Sequence, residues 1–183
     1  MDDSEIIEAT RGWIANVVIG LNLCPFAQRV FVAEKIRYVV SPATRETALL
    51  EELKRELDYL TAISSESVET TILIHPHVLN DFLDFNDFLG PAEALIESLE
   101  LEGVIQLASF HPNYQFAESG PDDVENFTNR SPYPMLHLLR EDSITAVADD
   151  PDLVNDIPLR NIETLRRLGK ARVIQLLKQQ ADA

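Results

Sequence analysis

Three apolar runs in this chain end at a proline: residues 36–42 (IRYVVSP), 70–76 (TTILIHP) and 104–112 (VIQLASFHP). Short runs of β-branched and aromatic residues read as strands, and proline stops the ladder by removing a backbone donor. The segments between the runs hold helices of a dozen or more residues, and crossovers of that length imply parallel pairing. The chain is therefore expected to be α/β, with a small central sheet of at least three parallel strands near 35–41, 69–75 and 104–111. Helices would cover both faces or mainly one. Three strands are few for such a sheet. A fourth is sought in 26–33 or in Tyr114–Phe116, and an α+β arrangement with one antiparallel strand stays open.

Helical spacing supplies the rest of the organisation. A first helix is expected from Ser4, as its cap, to Gly20, where Asn22-Leu23-Cys24-Pro25 stops it. Leu49, Leu53, Leu57 and Leu60 share one face of a helix over Thr44–Leu60. Leu79, Phe82, Phe85 and Leu89 share another, which Gly90-Pro91 breaks or kinks before a second piece to Leu99. After an irregular segment at 111–130, Ser131-Pro132 is expected to start a helix carrying Met135, Leu136 and Leu139. Asp156-Ile157-Pro158 opens another, and Gly169 separates it from a last one. These 183 residues suit one domain, with a strand-helix core over 35–111 and a mainly helical segment over 131–181.

Charge narrows the partners. Of the net charge of -16, residues 61–160 hold 19 acidic side chains against 3 basic ones, Arg130, Arg140 and Arg160. That field repels nucleic acid and anionic lipid, so neither is an expected partner. The first apolar stretch, WIANVVIGLNLCPFA, follows an acidic start and contains two asparagines, unlike a signal peptide or a membrane span. A single cysteine fits a reducing compartment, and the chain reads as cytoplasmic. A C-terminal segment of net +3 beside the acidic middle would suit self-association or a basic protein partner.

If the three strands are parallel, Ser41, His75 and His111 meet at one carboxyl edge, where open α/β sheets place ligands. His75 and His77 lie two apart on an extended chain. With His111 they would supply three nitrogen ligands and leave a position open for water, as in a catalytic zinc site. A divalent metal such as zinc is the cofactor this pattern would take. The competing reading places Pro42 and Pro76 at the first turn of the following helices, with Ser41 and His75 as caps and free N–H groups facing the crevice. The loop from His111 carries Asn113, Asp122, Asp123 and Arg130, and a loop of that content can hold a small polar ligand. Arg130 suits a carboxylate or phosphate, and Asp122 or Asp123 would sit at the rim. Cys24 is either an inert buried thiol or a nucleophile, the latter only with a base in reach. His137, between two leucines, reads as a core or interfacial residue. No Gly-rich phosphate loop occurs among the six glycines.

LNLCPFA, ILIHPH, FHPNYQF, NRSPYP with LHLLR, and IPLRNIETLRRLG occur together in the chain. In this combination it resembles a family of bacterial proteins of about this length, grouped as a domain of unknown function. The resemblance spans roughly Ile7 to Leu177 and implies no activity, substrate or site residue. From the residues alone, the expected function is a small-molecule enzyme acting on an anionic metabolite, with metal-assisted hydrolysis at the sheet edge as its leading form. A metal-free Cys/His enzyme and a non-enzymatic acidic binding or adaptor protein are the alternatives.

Overall fold

The computed structural model of the protein describes residues 2–145 and 156–181. Helix α1 (Asp3–Trp13) opens with a capping box. The Asp2 carboxylate accepts from the Glu5 N–H, and the Glu5 carboxylate accepts from the Asp2 N–H. Asp2, not Ser4, is therefore the cap. The helix runs on into a π-helical turn, Ile14–Ile19, which ends at Gly20. A Cβ on Gly20 would collide with the Asn16 carbonyl, so only glycine allows the chain to turn there toward Leu23 and Cys24.

A short helix α2 (Ala27–Val32) leads to strand β1 (Ile36–Val40), helix α3 (Glu46–Ala62), strand β2 (Thr70–Ile74), helix α4 (Phe82–Ser98) and strand β3 (Ile105–Phe110). A 3-10 turn over Val124–Thr128 precedes strand β4 (Met135–Arg140) and helix α5 (Glu141–Thr145). Helices α6 (Ile157–Leu168) and α7 (Lys170–Ala181) follow, divided at Gly169 as the spacing predicts.

The sheet corrects the expected architecture. Its order is β1-β2-β4-β3, and only β1 and β2 pair in parallel. Strand β4 lies between β2 and β3, antiparallel to both, so the fold is mixed α/β with a mostly antiparallel sheet. Residues 135–140 were expected to be helical. A short run apolar on every side fits a buried strand as well as a buried helix. The two prolines at 132 and 134 decide it, because each disfavours helical backbone in the residue before it. Neither 26–33, which contains α2, nor 114–116 supplies the fourth strand.

Two further expectations fail locally. Helix α4 continues through Gly90-Pro91 without a break and starts only at Phe82, capped by the Asp81 carboxylate, which accepts from the Leu83 N–H at 2.8 Å. Leu79 precedes it at φ 59°. Pro42 and Pro76 do not begin helices, since α3 starts at Glu46 and α4 at Phe82. Their N-termini therefore do not face a crevice at Ser41 and His75.

Each sheet face carries its own core. Val39, Leu73, Leu136, Leu138 and Ile105 point to α3 and α4, against Leu49, Leu53, Leu57, Phe85 and Phe88. Ile72, Ile74, Met135 and Phe110 point the other way, toward Ile6, Trp13, Ile14 and Val17 of α1 and the π turn, with Leu165 of α6 and Val173 of α7. Among the described residues, no helix is long and apolar enough to cross a membrane.

Arg140 ties β4 to the end of α3. Its Nη2 donates to the carbonyls of Leu60 and Ile63 at 2.5 and 2.7 Å, and reaches that of Val68 at 3.3 Å. These carbonyls close α3 and lead into β2, where a charged donor is worth more than a neutral one. Arg140→Ala is expected to lower the free energy of unfolding by roughly 2–3 kcal/mol, read by urea denaturation.

Candidate functional site

The antiparallel insertion of β4 decides what becomes of the histidine edge. Val40, Ile74, Met135 and Phe110 align in one row across the sheet, with side chains toward α1. Ser41, His75 and His111 come one residue later and turn to the opposite face. The structure therefore does bring these three to one edge, but beneath α4 and all three fully buried. The His75 ring stacks on Phe85 at 5.7 Å between centres. His111 packs against Phe85 at 5.1 Å and Phe82 at 5.5 Å.

Hydrogen bonds fix both rings. His111 Nδ1 accepts from the Asn113 N–H at 3.0 Å, so Nε2 carries the proton and donates to the Leu79 carbonyl at 3.2 Å. His75 Nδ1 donates to the Val78 carbonyl at 3.1 Å, and its Nε2 is buried without a partner among the described residues. The two imidazoles thus clamp the turn at 75–81, including left-handed Leu79. Shared metal binding would require His111 to give up one of these bonds, and His77 is exposed. Among the described residues, no three His, Cys, Asp or Glu side chains gather as a metal site.

The loop residues are used locally. Ser41 Oγ accepts from the Ala43 N–H at 3.1 Å. Arg130 donates to the carbonyls of Tyr114 and Pro121 at 3.2 and 2.8 Å, and its guanidinium lies 4.4 Å from the centre of the Phe127 ring. Asp122 pairs with Lys170 on α7, and Asp123 accepts from the Gly120 N–H at 2.7 Å. Asn113 is exposed. Buried Asn126 organises the same loop, accepting from the Phe116 N–H and the Ser119 hydroxyl and donating to the Gly120 carbonyl.

Open space lies on the α1 face. A groove of about 600 Å³ runs between the 116–129 segment, the turn at Leu23-Cys24 and the start of α6. A smaller cavity of about 120 Å³ sits between the sheet, α1, the π turn and α2. Val18, Cys24 and Phe110 belong to the walls of both. Cys24 is thus the one sequence-proposed site residue that lines either space. Burial pushes its thiol pKa up, which favours the neutral thiol over the nucleophilic thiolate.

Sequence reasoning missed His137, Trp13, Glu118 and Glu125. His137 was read on a helix, whereas on β4 its ring faces the smaller cavity, away from His75. The signal lay in Pro132 and Pro134, which make 135–140 a strand and so set the side of every residue in it. Glu118 and Glu125 read in sequence as two more acids in an acidic stretch; only the loop's packing turns them to the groove.

With this geometry in view, the class is a mixed α/β protein with ligand-sized space on one sheet face. Residues 5–175 match the family described as "Protein of unknown function (DUF1415)", and the chain belongs to that family. No curated protein and no solved structure matches it.

Three histidines are held neutral by burial. Desolvation lowers the pKa of His75 and of His137 from 6.5 to about 4, and lowers that of His111 as well. The accessible part of the His137 ring faces the smaller cavity. Between pH 6.5 and about 4 the unfolded chain therefore binds protons that the folded chain does not. This stability is fully present above pH 6.5 and is lost as the pH falls toward 4, on the order of 3 kcal/mol for each of His75 and His137. The urea midpoint is expected to drop steadily across that window, and a flat midpoint would contradict the burial of these rings.

Proposed function

We propose that the protein is a small-molecule-binding protein whose ligand is an organic cation with an apolar body, held in the groove on the α1 face. The observation that carries this reading is a groove of about 600 Å³ whose lining combines Glu118 and Glu125 with apolar side chains. Its volume falls in the range of small-molecule sites, roughly 300–1,000 Å³.

The apolar part of the lining is Val18, Leu23, Phe110, Ile157 and Ile162. Its neutral polar groups are largely engaged within the protein. Thr128 Oγ1 donates to the Glu125 carbonyl, Asn129 Nδ2 to the Ser109 carbonyl, Ser119 Oγ to Asn126 Oδ1, and Asn161 Nδ2 to the Leu23 carbonyl. The carboxylates are what remains. Glu118 has no ion-pair partner among the described residues, and Glu125 has one 3.5 Å contact with the exposed guanidinium of Arg166. A pair that long and that exposed is worth little, so Arg166 competes weakly with a bound ammonium. The acidic surface over 61–160 would steer a cation toward the groove and an anion away.

Arg130, from which an anionic ligand was inferred, is turned to its own loop carbonyls, so the cation reading has the better support. Binding of this kind requires neither a metal nor a nucleophile, and catalysis is not part of the proposal.

The test is a calorimetric titration with 2-phenylethylamine, and with phenylacetate as the matched anion. Saturable binding of the amine is expected, with none for phenylacetate. Replacing both acids, Glu118→Gln with Glu125→Gln, is expected to weaken the amine about tenfold or more, since two charge-assisted contacts are lost. Equal binding of the two probes, no saturable binding, or an unchanged affinity in the double variant would overturn the reading.

A further inference from the structure

The smaller cavity, beyond the wall of Val18, Cys24 and Phe110, carries a second inference that does not depend on the groove. Its surface is mostly apolar, yet three nitrogen atoms of its wall residues are unpaired among the described residues. One is Nε1 of Trp13, a side chain only 3% exposed, and another is Nε of Arg140. The third is Nδ1 of His137, which bonds through Nε2, and of the three it alone is not fully buried.

The state of His137 follows from proton counting. Thr70 Oγ1 has one proton and lies 2.6 Å from the Leu138 carbonyl, which can only accept. The same oxygen lies 2.6 Å from His137 Nε2, so there the hydroxyl accepts and Nε2 carries the ring proton. Nδ1 is left with a lone pair. The rings of Trp13 and His137 both pack against Phe110, at 5.2 and 6.3 Å between centres. The two unpaired donors are sealed within the protein, and the His137 acceptor is the group that can meet a ligand in this mostly apolar chamber, where an unpaired polar atom is costly.

We propose that this cavity binds a small hydroxylated apolar molecule of the phenol class. The hydroxyl proton is donated to His137 Nδ1, and the ring packs beside Trp13 and Phe110 in the cavity wall. A hydroxyl is the smallest group that supplies that proton. A carboxylate does not suit the chamber, because it has no proton for Nδ1 and would face the Glu69 carboxylate, already paired with Arg29 in the same wall. The volume of about 120 Å³ fits one ring. For scale, an engineered apolar cavity of about 150 Å³ takes up benzene.

The chain has one tryptophan, so its ¹H–¹⁵N spectrum contains a single indole N–H resonance to report on this cavity. Phenol, toluene and benzoate are titrated in turn while that resonance is followed. Phenol is expected to shift it in a saturable way and to bind at least about tenfold more tightly than toluene, with no saturation by benzoate. His137→Phe is expected to abolish the preference for phenol and leave toluene within a few-fold of its original affinity. The proposal is overturned if toluene matches phenol, if benzoate binds as tightly as phenol, if phenol leaves the indole resonance unmoved, or if His137→Phe keeps the preference. The wild-type comparison decides the matter even if the variant does not fold. Phenol binding unchanged by Glu118→Gln with Glu125→Gln separates this site from the groove.

Discussion

Strand β4 pairs with β2 on one side and with β3 on the other, and most other placements in the fold follow from that double ladder. Without it, β2 and β3 would be neighbours, and their histidine-proline ends would border an open crevice. With it, Met135 stands between Ile74 and Phe110, and the Pro134 carbonyl accepts from the His75 N–H at 3.0 Å. The edge is closed by backbone, and Phe82 and Phe85 of α4 cover the imidazoles. His75 and His111 then act as internal hydrogen-bond donors that hold a turn containing a left-handed leucine.

The same strand distributes function between the two faces. On the α3–α4 side, Leu136 and Leu138 join a core of buried leucines and phenylalanines. On the α1 side, His137 faces a chamber bounded by Trp13, and Phe110 at the end of β3 divides that chamber from the acid-lined groove. The π-helical turn belongs to this arrangement, because Ile14 and Val18 wall the chamber and Gly20 then turns the chain toward Cys24. Interruptions of this kind in a helix often accompany binding sites.

Much of the framework was legible in the sequence. The three strands and the helices between them follow from runs of β-branched residues and from leucine and phenylalanine spacing, signals that packing here reinforces. The position of β4 was not legible from periodicity, because MLHLL is apolar on every side and fits a buried helix or a buried strand. Once it was read as a helix, the expected sheet lost its central antiparallel member and His137 lost its face. The candidate site was less legible than the fold. Paired histidines and a lone arginine invite chemistry, but burial under Phe85 and bonds to loop carbonyls occupy them. Glu118 and Glu125 gain their meaning only from tertiary placement, which a charge count does not show.

The central claim is that His75 and His111 are core residues with fixed, opposite tautomers, while ligand space lies on the other face. A long-range ¹H–¹⁵N correlation spectrum of the four imidazoles, recorded from neutral to mildly acidic pH and again with added zinc, tests it directly. The account predicts His75 protonated at Nδ1, His111 and His137 at Nε2, and none of these three rings responding to pH or zinc near neutrality. His75 and His111 titrating together near the ordinary histidine value, or shifting jointly as zinc is added, would contradict it.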